Sequence, residues 1–189
     1  SYLSLKPLVR LLNGYGFELF DVILSPVQGN YSMRGYLGRK GIHPVSTRVA
    51  DLVKKETALG LSRVETYRAL ADRIARLKTE VLDLIRSLSA QGRTIAAYGA
   101  PARGNTLMNF FCLDHSLIRF ATEELPSKIG LLTPGTHIPV VDVRWARENP
   151  PDDYLLLAWP YQSFVMEKER TFREQGGKFI LPIGEERMI

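Results

Sequence analysis

The second half of the chain alternates short apolar runs with stretches of helical periodicity, and this alternation limits the fold more than any other feature. Four apolar runs predict strands, at Thr94–Tyr98, Leu117–Thr122, Tyr154–Trp159 and Phe179–Ile183. The segments between them predict three helices, at Asn105–Leu113, Val141–Glu148 and Gln162–Gln175. Strands that are joined through helices pair in parallel. We therefore predict an α/β fold with a mostly parallel sheet flanked by helices.

The first 92 residues show a different pattern. Residues 4–14 predict a helix with Ser4 as its N-cap, and two strands are predicted at Phe17–Val27 and Asn30–Gly38. Because one helix and two strands do not make a stable core, we interpret residues 1–40 as the end of a preceding domain, and the chain as a fragment of a larger protein. Residues 41–92 are predicted to be a linker and long helices, and residues 93–189 to be the α/β domain.

A long amphipathic helix is predicted between Gly60 and Gly92, and the capping-box pair Ser62 and Glu65 predicts its start. Its apolar residues recur at alternating spacings of three and four: Tyr67, Leu70, Ile74, Leu77, Val81, Leu84 and Leu88. We expect this stripe to pack on the chain's own sheet. An intermolecular coiled coil is the less favoured alternative.

Charge and composition narrow the range of partners. The net charge of +5 favours anionic ligands, but the basic residues are scattered, so we predict no nucleic-acid surface. No apolar run approaches the roughly 20 residues that a membrane span needs, and no membrane partner is predicted. The histidines lack metal-ligand spacing, so no metal site is predicted. The single cysteine, Cys112, is predicted to be a buried apolar residue of a helix, and a cytoplasmic location fits.

The glycine-rich segment Tyr98–Thr106 is the clearest candidate for a binding site. It lies between a predicted first strand and first helix, where open α/β sheets bind ligands, and free helix N–H groups with Arg103 would suit a phosphate. The frame Gly99-x4-Gly104 matches a P-loop except that Asn105 stands in place of the lysine, which disfavours triphosphate hydrolysis. We favour phosphate binding over the alternative that the glycines only make a tight turn.

Two further segments carry weaker candidates. In Leu132–Pro139, Thr136 and His137 have side chains suited to a sugar or a phosphate, but a stiff structural loop is the favoured interpretation. Trp159-Pro160-Tyr161 follows the third strand, where aromatic rings either stack on a base or close a core. The residues leave that choice open.

Four blocks of this sequence resemble, in order and spacing, the C-terminal domain of sugar-nucleotide C-methyltransferases: Tyr98–Asn109, Lys128–Pro139, Asp153–Trp159 and Gly176–Ile183. Those enzymes use S-adenosylmethionine to methylate a carbon of a keto-deoxyhexose attached to a nucleoside diphosphate. Ser1–Leu5 and Gly16–Val22 likewise resemble the end of the family's SAM-binding domain. The resemblance implies a Rossmann-like domain that holds a nucleoside-diphosphate sugar. It also implies that the acid–base residues, most of the SAM site and a zinc module lie upstream, so that this chain has no catalytic residue and is inactive alone.

The resemblance also implies which residues bind the substrate. The diphosphate would lie on the segment Gly99, Ala100, Pro101, Ala102, Arg103, Gly104, Asn105 and Thr106. Four other residues would line the pocket: Asn109, Thr136, His137 and Trp159.

The sequence departs from the family pattern at two places. The family has Asp and Asn after the second strand, where this chain has Glu123 and Leu125, and its His-Gly-Gly-Ser-Leu-Arg motif corresponds here to Gln28–Arg34. The base, the sugar and the methylated carbon therefore stay open. The main alternative is a Rossmann-like interaction module that forms a homodimer. A dinucleotide-binding oxidoreductase is disfavoured because the chain lacks G-x-G-x-x-G.

Overall fold

A computed structural model describes residues 3–27, 30–184 and 186–189. Its contacts divide the chain into unit 1, which ends at Asp72, and unit 2, which begins at Arg73. Residues 28 and 29 begin the segment Gln28–Arg34, which departs from the family motif, and they lie outside the described residues. Residues 1 and 2 of the segment Ser1–Leu5, which resembles the end of the SAM-binding domain, also lie outside them. The assignment of residues 1–40 to a SAM-binding domain stays a prediction.

Unit 1 is a β-hairpin covered by two helices. It contains α1 (Leu5–Gly14), β1 (Phe17–Val27), β2 (Asn30–Arg39) and α2 (Thr47–Ala58), and it confirms the helix and strands predicted for this region. The strands pair antiparallel, and Leu5, Leu19, Val22 and Val49 form a small core. Glu56 of α2 accepts the N–H groups of Leu5 and Lys6 at 2.6 and 2.9 Å, which supplies acceptors to the start of α1.

The long helix α3 (Val64–Ala90) begins in unit 1 and ends in unit 2. It starts two residues after Ser62, one residue later than the capping box predicts. Its last turns confirm the prediction that the stripe packs on the sheet, because Val81 and Leu88 are buried in the core of unit 2 and Leu77 and Leu84 pack against that core. The beginning of the stripe contradicts that prediction, since Tyr67, Leu70 and Ile74 are 52%, 44% and 40% exposed.

Unit 2 is a five-stranded parallel sheet with helices on both faces. Its strands are β3 (Ile95–Tyr98), β4 (Ala121–Glu123), β5 (Val140–Asp142), β6 (Asp153–Leu156) and β7 (Lys178–Ile180). Its helices are α4 (Ala102–Phe111), α5 (Val143–Glu148), α6 (Gln162–Lys168) and α7 (Arg170–Glu174), with a 3₁₀ turn at Trp159–Tyr161. The order is β5-β4-β3-β6-β7 and every pairing is parallel, which confirms the predicted α/β, Rossmann-like fold.

Several predicted boundaries were wrong, for local reasons. The strand β5 was missed because it has three residues and no helix precedes it, the crossover from β4 being a series of turns. The helix α4 begins at Ala102 rather than Asn105, so half of the predicted glycine-rich loop is helical. The third strand ends at Leu156, before Trp159. The single helix predicted at Gln162–Gln175 is interrupted at Glu169.

Two apolar layers cover the faces of this sheet. On one face, α3 and α4 pack through Ile85, Met108 and Phe111. On the other, an aromatic cluster of Tyr98, Tyr154, Phe172 and Phe179 packs with α6, with ring centroids between 4.9 and 5.6 Å apart. Both faces are therefore buried, as a parallel sheet requires.

Two residues differ from their predicted environments. Cys112 is exposed and left-handed (φ 57°) at the end of α4, rather than buried within the helix. Adjacent acidic residues in a loop, such as Asp152 and Asp153, are expected to be solvated, but Asp153 is fully buried at the amino end of β6, where Arg93 donates to both carboxylate oxygens at 2.7 Å. This bidentate pair fixes the edge of the sheet opposite the candidate site.

Candidate functional site

The strand order places a crevice at the carboxyl edge of the sheet. From β3 the chain first builds β4 and β5 on one side, and then β6 and β7 on the other. The loops after β3 and β6 therefore diverge, and such switch points are where open α/β sheets bind ligands. Gly99 follows β3 and Ala158 follows β6, and both line the same cavity.

The turn from β3 into α4 requires both of its glycines. Gly99 has a φ of +87°, which side chains rarely adopt, and its N–H donates to Thr122 Oγ1 at 2.9 Å. A Cβ atom on Gly104 would lie 2.7 Å from Leu157 Cβ, so glycine lets α4 approach the end of β6. The tight-turn alternative thus has a geometric basis, and it is compatible with a ligand above the turn.

The start of α4 leaves backbone donors available at this edge. Pro101 is the N-cap and makes no side-chain capping hydrogen bond. The N–H groups of Ala102, Arg103 and Gly104 have no acceptor within the helix, because the first intrahelical bond runs from Asn105 N–H to the Pro101 carbonyl at 3.0 Å. With the positive end of the helix dipole, these three amides suit an anion.

Two cavities flank this turn. The first, of about 200 Å³, lies on the α6 side and is lined by Gly99, Thr122, Glu123, Ala158 and Phe164 among others. The second, of about 400 Å³, lies between α4 and the loop that joins β4 to β5. The second falls within the usual range for small-molecule pockets, about 300–1,000 Å³, and the first is smaller.

Two ion pairs tie the rims of these cavities. Lys128 Nζ donates to Glu123 Oε2 at 2.8 Å and to the Ala100 carbonyl at 3.1 Å, which links the end of β4 to the β3–α4 turn. Burial alone would raise the pKa of Glu123, but Lys128 and the amides of Glu124 and Leu125 hold that pKa below its ordinary value. On the other rim, Lys168 of α6 pairs with Glu124. The sequence did not predict these contacts, since the Ala100 carbonyl lies 28 residues from Lys128 and Lys168 lies 44 residues from Glu124.

A partly buried polar network lies beside the first cavity, with Tyr98 and Glu169 buried and Arg147 exposed. Tyr98 OH donates to Glu169 Oε1 at 2.8 Å, and Arg147 donates to the same oxygen at 2.7 Å. Burial, and then the hydrogen bond to Glu169, raise the pKa of Tyr98, so the phenol stays protonated and remains a donor. Glu169 lies between α6 and α7, where the predicted helix is interrupted, and its carboxylate points towards Tyr98 and Arg147.

The loop Leu132–Pro139 is hydrogen-bonded internally and is clamped to α4. Asn109 Nδ2 donates to the carbonyls of Asn105 and Pro134 at 2.9 and 3.0 Å. Inside the loop, the hydroxyls of Thr133 and Thr136 lie 2.6 Å apart, and Thr133 Oγ1 accepts the Ile138 N–H at 2.9 Å. Asn109 and Thr136, both predicted to line a pocket, therefore have clear structural roles in shaping it.

The remaining predicted site residues lie on different parts of this edge. Arg103 is exposed on the first turn of α4, and Thr106 is exposed one turn later, where its hydroxyl donates to the Ala102 carbonyl. His137 is exposed with a left-handed backbone (φ 52°). Trp159 is half-buried at the start of the 3₁₀ turn, and its neighbours Ala158 and Tyr161 line the first cavity.

Comparison with known proteins decides the family. Residues 27–184 match the C-methyltransferase C-terminal domain family. The C-methyltransferase NovU of Streptomyces niveus is 36% identical over 189 residues, which make up all of this chain and 45% of that protein. The chain belongs to the C-methyltransferase C-terminal domain family. It spans less than half the length of the curated relative that it matches.

The matched region of this C-methyltransferase C-terminal domain contains the whole candidate site, from the β3–α4 turn to the 3₁₀ turn. Among the described residues, no group of three or more His, Cys, Asp or Glu side chains is arranged to hold a metal ion. Within the same described ranges, no helix has both the length and the apolar character to cross a bilayer.

Proposed function

We propose that this domain binds the nucleoside-diphosphate sugar that a SAM-dependent C-methyltransferase methylates at a carbon atom. Membership of the family and the similarity to the Streptomyces C-methyltransferase support the methyltransferase assignment. The observation that carries the binding assignment is the β3–α4 turn. It places three amides without helical acceptors at the switch point of the sheet, between two cavities.

The diphosphate lies over the start of α4 in this proposal. The amides of Ala102, Arg103 and Gly104 donate to its oxygens, and the exposed Arg103 guanidinium adds a charged, bidentate contact. Gly99 has no side chain to obstruct the approach of the ligand. The other residues of the segment, Ala100, Pro101, Asn105 and Thr106, set the geometry of the turn in this proposal.

The two ends of the ligand extend from the diphosphate towards the two cavities. The clamp between Asn109 and Pro134 keeps the wall of the second cavity in place before the ligand arrives, which lowers the entropic cost of binding. Thr136 acts in the same way from inside the loop, and His137 and Trp159 are proposed to contact the ligand at the rims. These roles are proposals for each residue.

S-adenosylmethionine supplies the methyl group in this scheme, and we propose that it binds mainly to residues upstream of those matched here. The catalytic base and the zinc module of the resemblance are assigned upstream too, and the described residues offer no zinc cluster. We propose that the protein acts in the cytoplasm and binds neither nucleic acid nor membranes.

A second candidate function has one specific observation in its favour. The exposed stripe of Tyr67, Leu70 and Ile74 at the beginning of α3 is an apolar helix face that suits a partner helix. An interaction module of this kind predicts a homodimer that light scattering detects, and no affinity for nucleotides.

Titration of the chain with dTDP, UDP, GDP and CDP, followed by calorimetry and thermal unfolding, tests the proposal, with NAD as the control. A ligand at 100 times its Kd stabilises the folded state by about 2.7 kcal/mol. Selective stabilisation by one nucleoside diphosphate supports the proposal and names the base. A dimer that responds to none of the four, alone or within the longer protein, favours the interaction module.

A further inference from the structure

A lysine from outside the glycine-rich segment reaches its turn. Lys128 lies in the loop between β4 and β5, and its Nζ donates to the Ala100 carbonyl at 3.1 Å and to Glu123 Oε2 at 2.8 Å. Ala100 stands two residues before Ala102, where α4 begins. The ammonium group is therefore in direct contact with the turn on which the diphosphate is proposed to lie.

The glycine-rich segment itself contains no lysine. A P-loop has lysine directly after the second glycine of its frame, and this chain has Asn105 at that position. The lysine of a P-loop contributes a compact positive charge to the phosphates. Lys128 brings a charge of the same kind to this turn, from a segment that lies 28 residues along the chain from Ala100.

The ammonium group of Lys128 has one donor left. An ammonium group has three N–H donors, and among the described residues Lys128 bonds two acceptors, the Ala100 carbonyl and Glu123 Oε2. The side chain is 42% exposed, and it lines the cavity of about 400 Å³ together with Ala102. A ligand group in this cavity can therefore reach the third N–H.

The ion pair of Lys128 and Glu123 divides its charges between the two cavities. Lys128 is the one charged residue among the described residues that line the second cavity, whereas Glu123 lines the first. The Oε1 atom of Glu123 also accepts the N–H groups of Glu124 and Leu125 at 2.9 and 3.3 Å, so the lysine is not the sole donor to this carboxylate. An anion that enters from the second cavity therefore meets the positive member of the pair. Because the pair holds the ammonium group in place beforehand, less side-chain entropy is lost on binding.

We propose that Lys128 is a ligand-binding residue, whose third N–H group donates to a phosphoryl oxygen of the nucleoside diphosphate at the mouth of the second cavity. With Arg103 on α4, it gives the diphosphate two cations from separate segments, each with a charge-assisted hydrogen bond. The inference rests on the proposed nucleotide-sugar function and deepens it, because it assigns to the β4–β5 loop a contact that the glycine-rich segment does not provide.

The variant Lys128→Met tests this, because methionine keeps an unbranched side chain but carries no charge. Calorimetry measures the Kd values for UDP, dTDP, GDP and CDP at low and high ionic strength, with the chain and with the longer protein. Lys78→Met is the matched control, since Lys78 Nζ also bonds a backbone carbonyl, that of Phe110 at 2.6 Å, at the opposite end of α4. Lys128→Arg restores the charge at the tested position.

A loss of affinity that depends on charge is the expected result. Lys128→Met should weaken the binding of the nucleoside diphosphate about tenfold, the scale of one hydrogen bond to a charged group. Its Kd should also depend less steeply on salt than that of the wild type, since one charged contact is gone. Lys78→Met should match the wild type in both respects, and Lys128→Arg should recover most of the affinity.

Two results overturn the inference and leave the proposed function standing. The first is wild-type affinity of Lys128→Met while Arg103→Ala still binds more weakly. The second is a loss of affinity in Lys128→Met that keeps the wild-type salt dependence and comes with a lower unfolding temperature of the ligand-free protein, because Lys128 then only joins the β4–β5 loop to the turn. Absence of nucleotide binding by the wild-type chain and by the longer protein overturns the proposed function, and this inference with it.

Discussion

A Cβ atom on Gly104 would lie 2.7 Å from the Cβ of Leu157, well inside the 3.5–4.0 Å at which carbon atoms pack. Leu157 is 1% exposed and belongs to the main core, so it has no room to move away. This contact sets the distance between α4 and the end of β6, and with it the geometry of the candidate site.

Gly104→Ala is therefore expected to lower the free energy of unfolding by about 1–3 kcal/mol, the usual cost of overpacking a core. Denaturant unfolding measures the change. Gly14→Ala is the matched control, because an added Cβ there meets nothing within 4 Å, and it should be neutral or slightly stabilising. Equal stability of the two variants would show that α4 moves away from Leu157 without cost and would contradict the prediction.

Arg103→Ala is expected to weaken nucleoside-diphosphate binding by about 1–3 kcal/mol, because a charged hydrogen bond to the phosphate is lost. Isothermal titration measures the affinity, and the unfolding temperature should be unchanged because Arg103 is exposed. Arg119→Ala removes the same charge at the opposite edge, where the Arg119 N–H bonds the Ile95 carbonyl at the start of β3. If both variants bind like the wild type, Arg103 does not contact the diphosphate.

The Tyr98–Glu169–Arg147 network predicts two graded losses of stability. Tyr98→Phe removes one hydrogen bond but keeps the ring among its aromatic neighbours, and should cost about 1 kcal/mol. Glu169→Leu leaves Arg147 and Tyr98 without their acceptor and should cost about 3 kcal/mol. Chemical denaturation compares them with Glu167→Leu, an exposed position on α6 that should change stability by less than about 0.5 kcal/mol. A Glu169→Leu variant as stable as that control would argue against the network.

The lowered pKa of Glu123 predicts that the free energy of unfolding decreases in acid. Lys128 and two backbone amides outweigh burial and lower its pKa in the folded state, so the unfolded state binds the proton more readily. The stabilisation from Glu123 is thus complete above its unfolded pKa of about 4.3, and is lost as the pH falls through the lower folded value. Unfolding measured between pH 7 and pH 3 should show Glu123→Gln less stable than the wild type near neutrality, with the difference shrinking in acid. The exposed Glu148→Gln serves as control, and a constant difference across this range would disprove the assignment.

Much of the fold was predictable because it depends on local patterns. The central strands were predictable from the apolar runs around Ile95–Tyr98 and Asp153–Leu156. The ends of two helices were predictable from the helix-terminating glycines Gly92 and Gly176. The boundaries that failed depend on remote partners. For example, Glu169 interrupts a helical pattern where its carboxylate meets Tyr98 and Arg147, 71 and 22 residues away.

The residues of the candidate site also fall into those that local patterns predict and those that depend on remote contacts. Gly99, Gly104 and Arg103 were predictable, since a glycine-rich turn after a first strand has a known place in parallel sheets. Lys128 could not be assigned from its neighbours, because its contact with the Ala100 carbonyl joins two loops across the sheet edge. The exposure of Cys112 and the burial of Asp153 also follow from packing, which no local pattern encodes.

By itself, the sequence determined that residues 94–183 form a parallel α/β sheet with a glycine-rich turn after its first strand, because hydrophobic periodicity and glycine positions act over a few residues. Only the tertiary structure decided that Asn109 clamps a loop, that two cavities flank the turn, and that Asn105 Oδ1 is buried without a hydrogen-bond partner among the described residues. These features arise where segments far apart in the chain meet, and the free energy of a buried polar atom depends on every group around it.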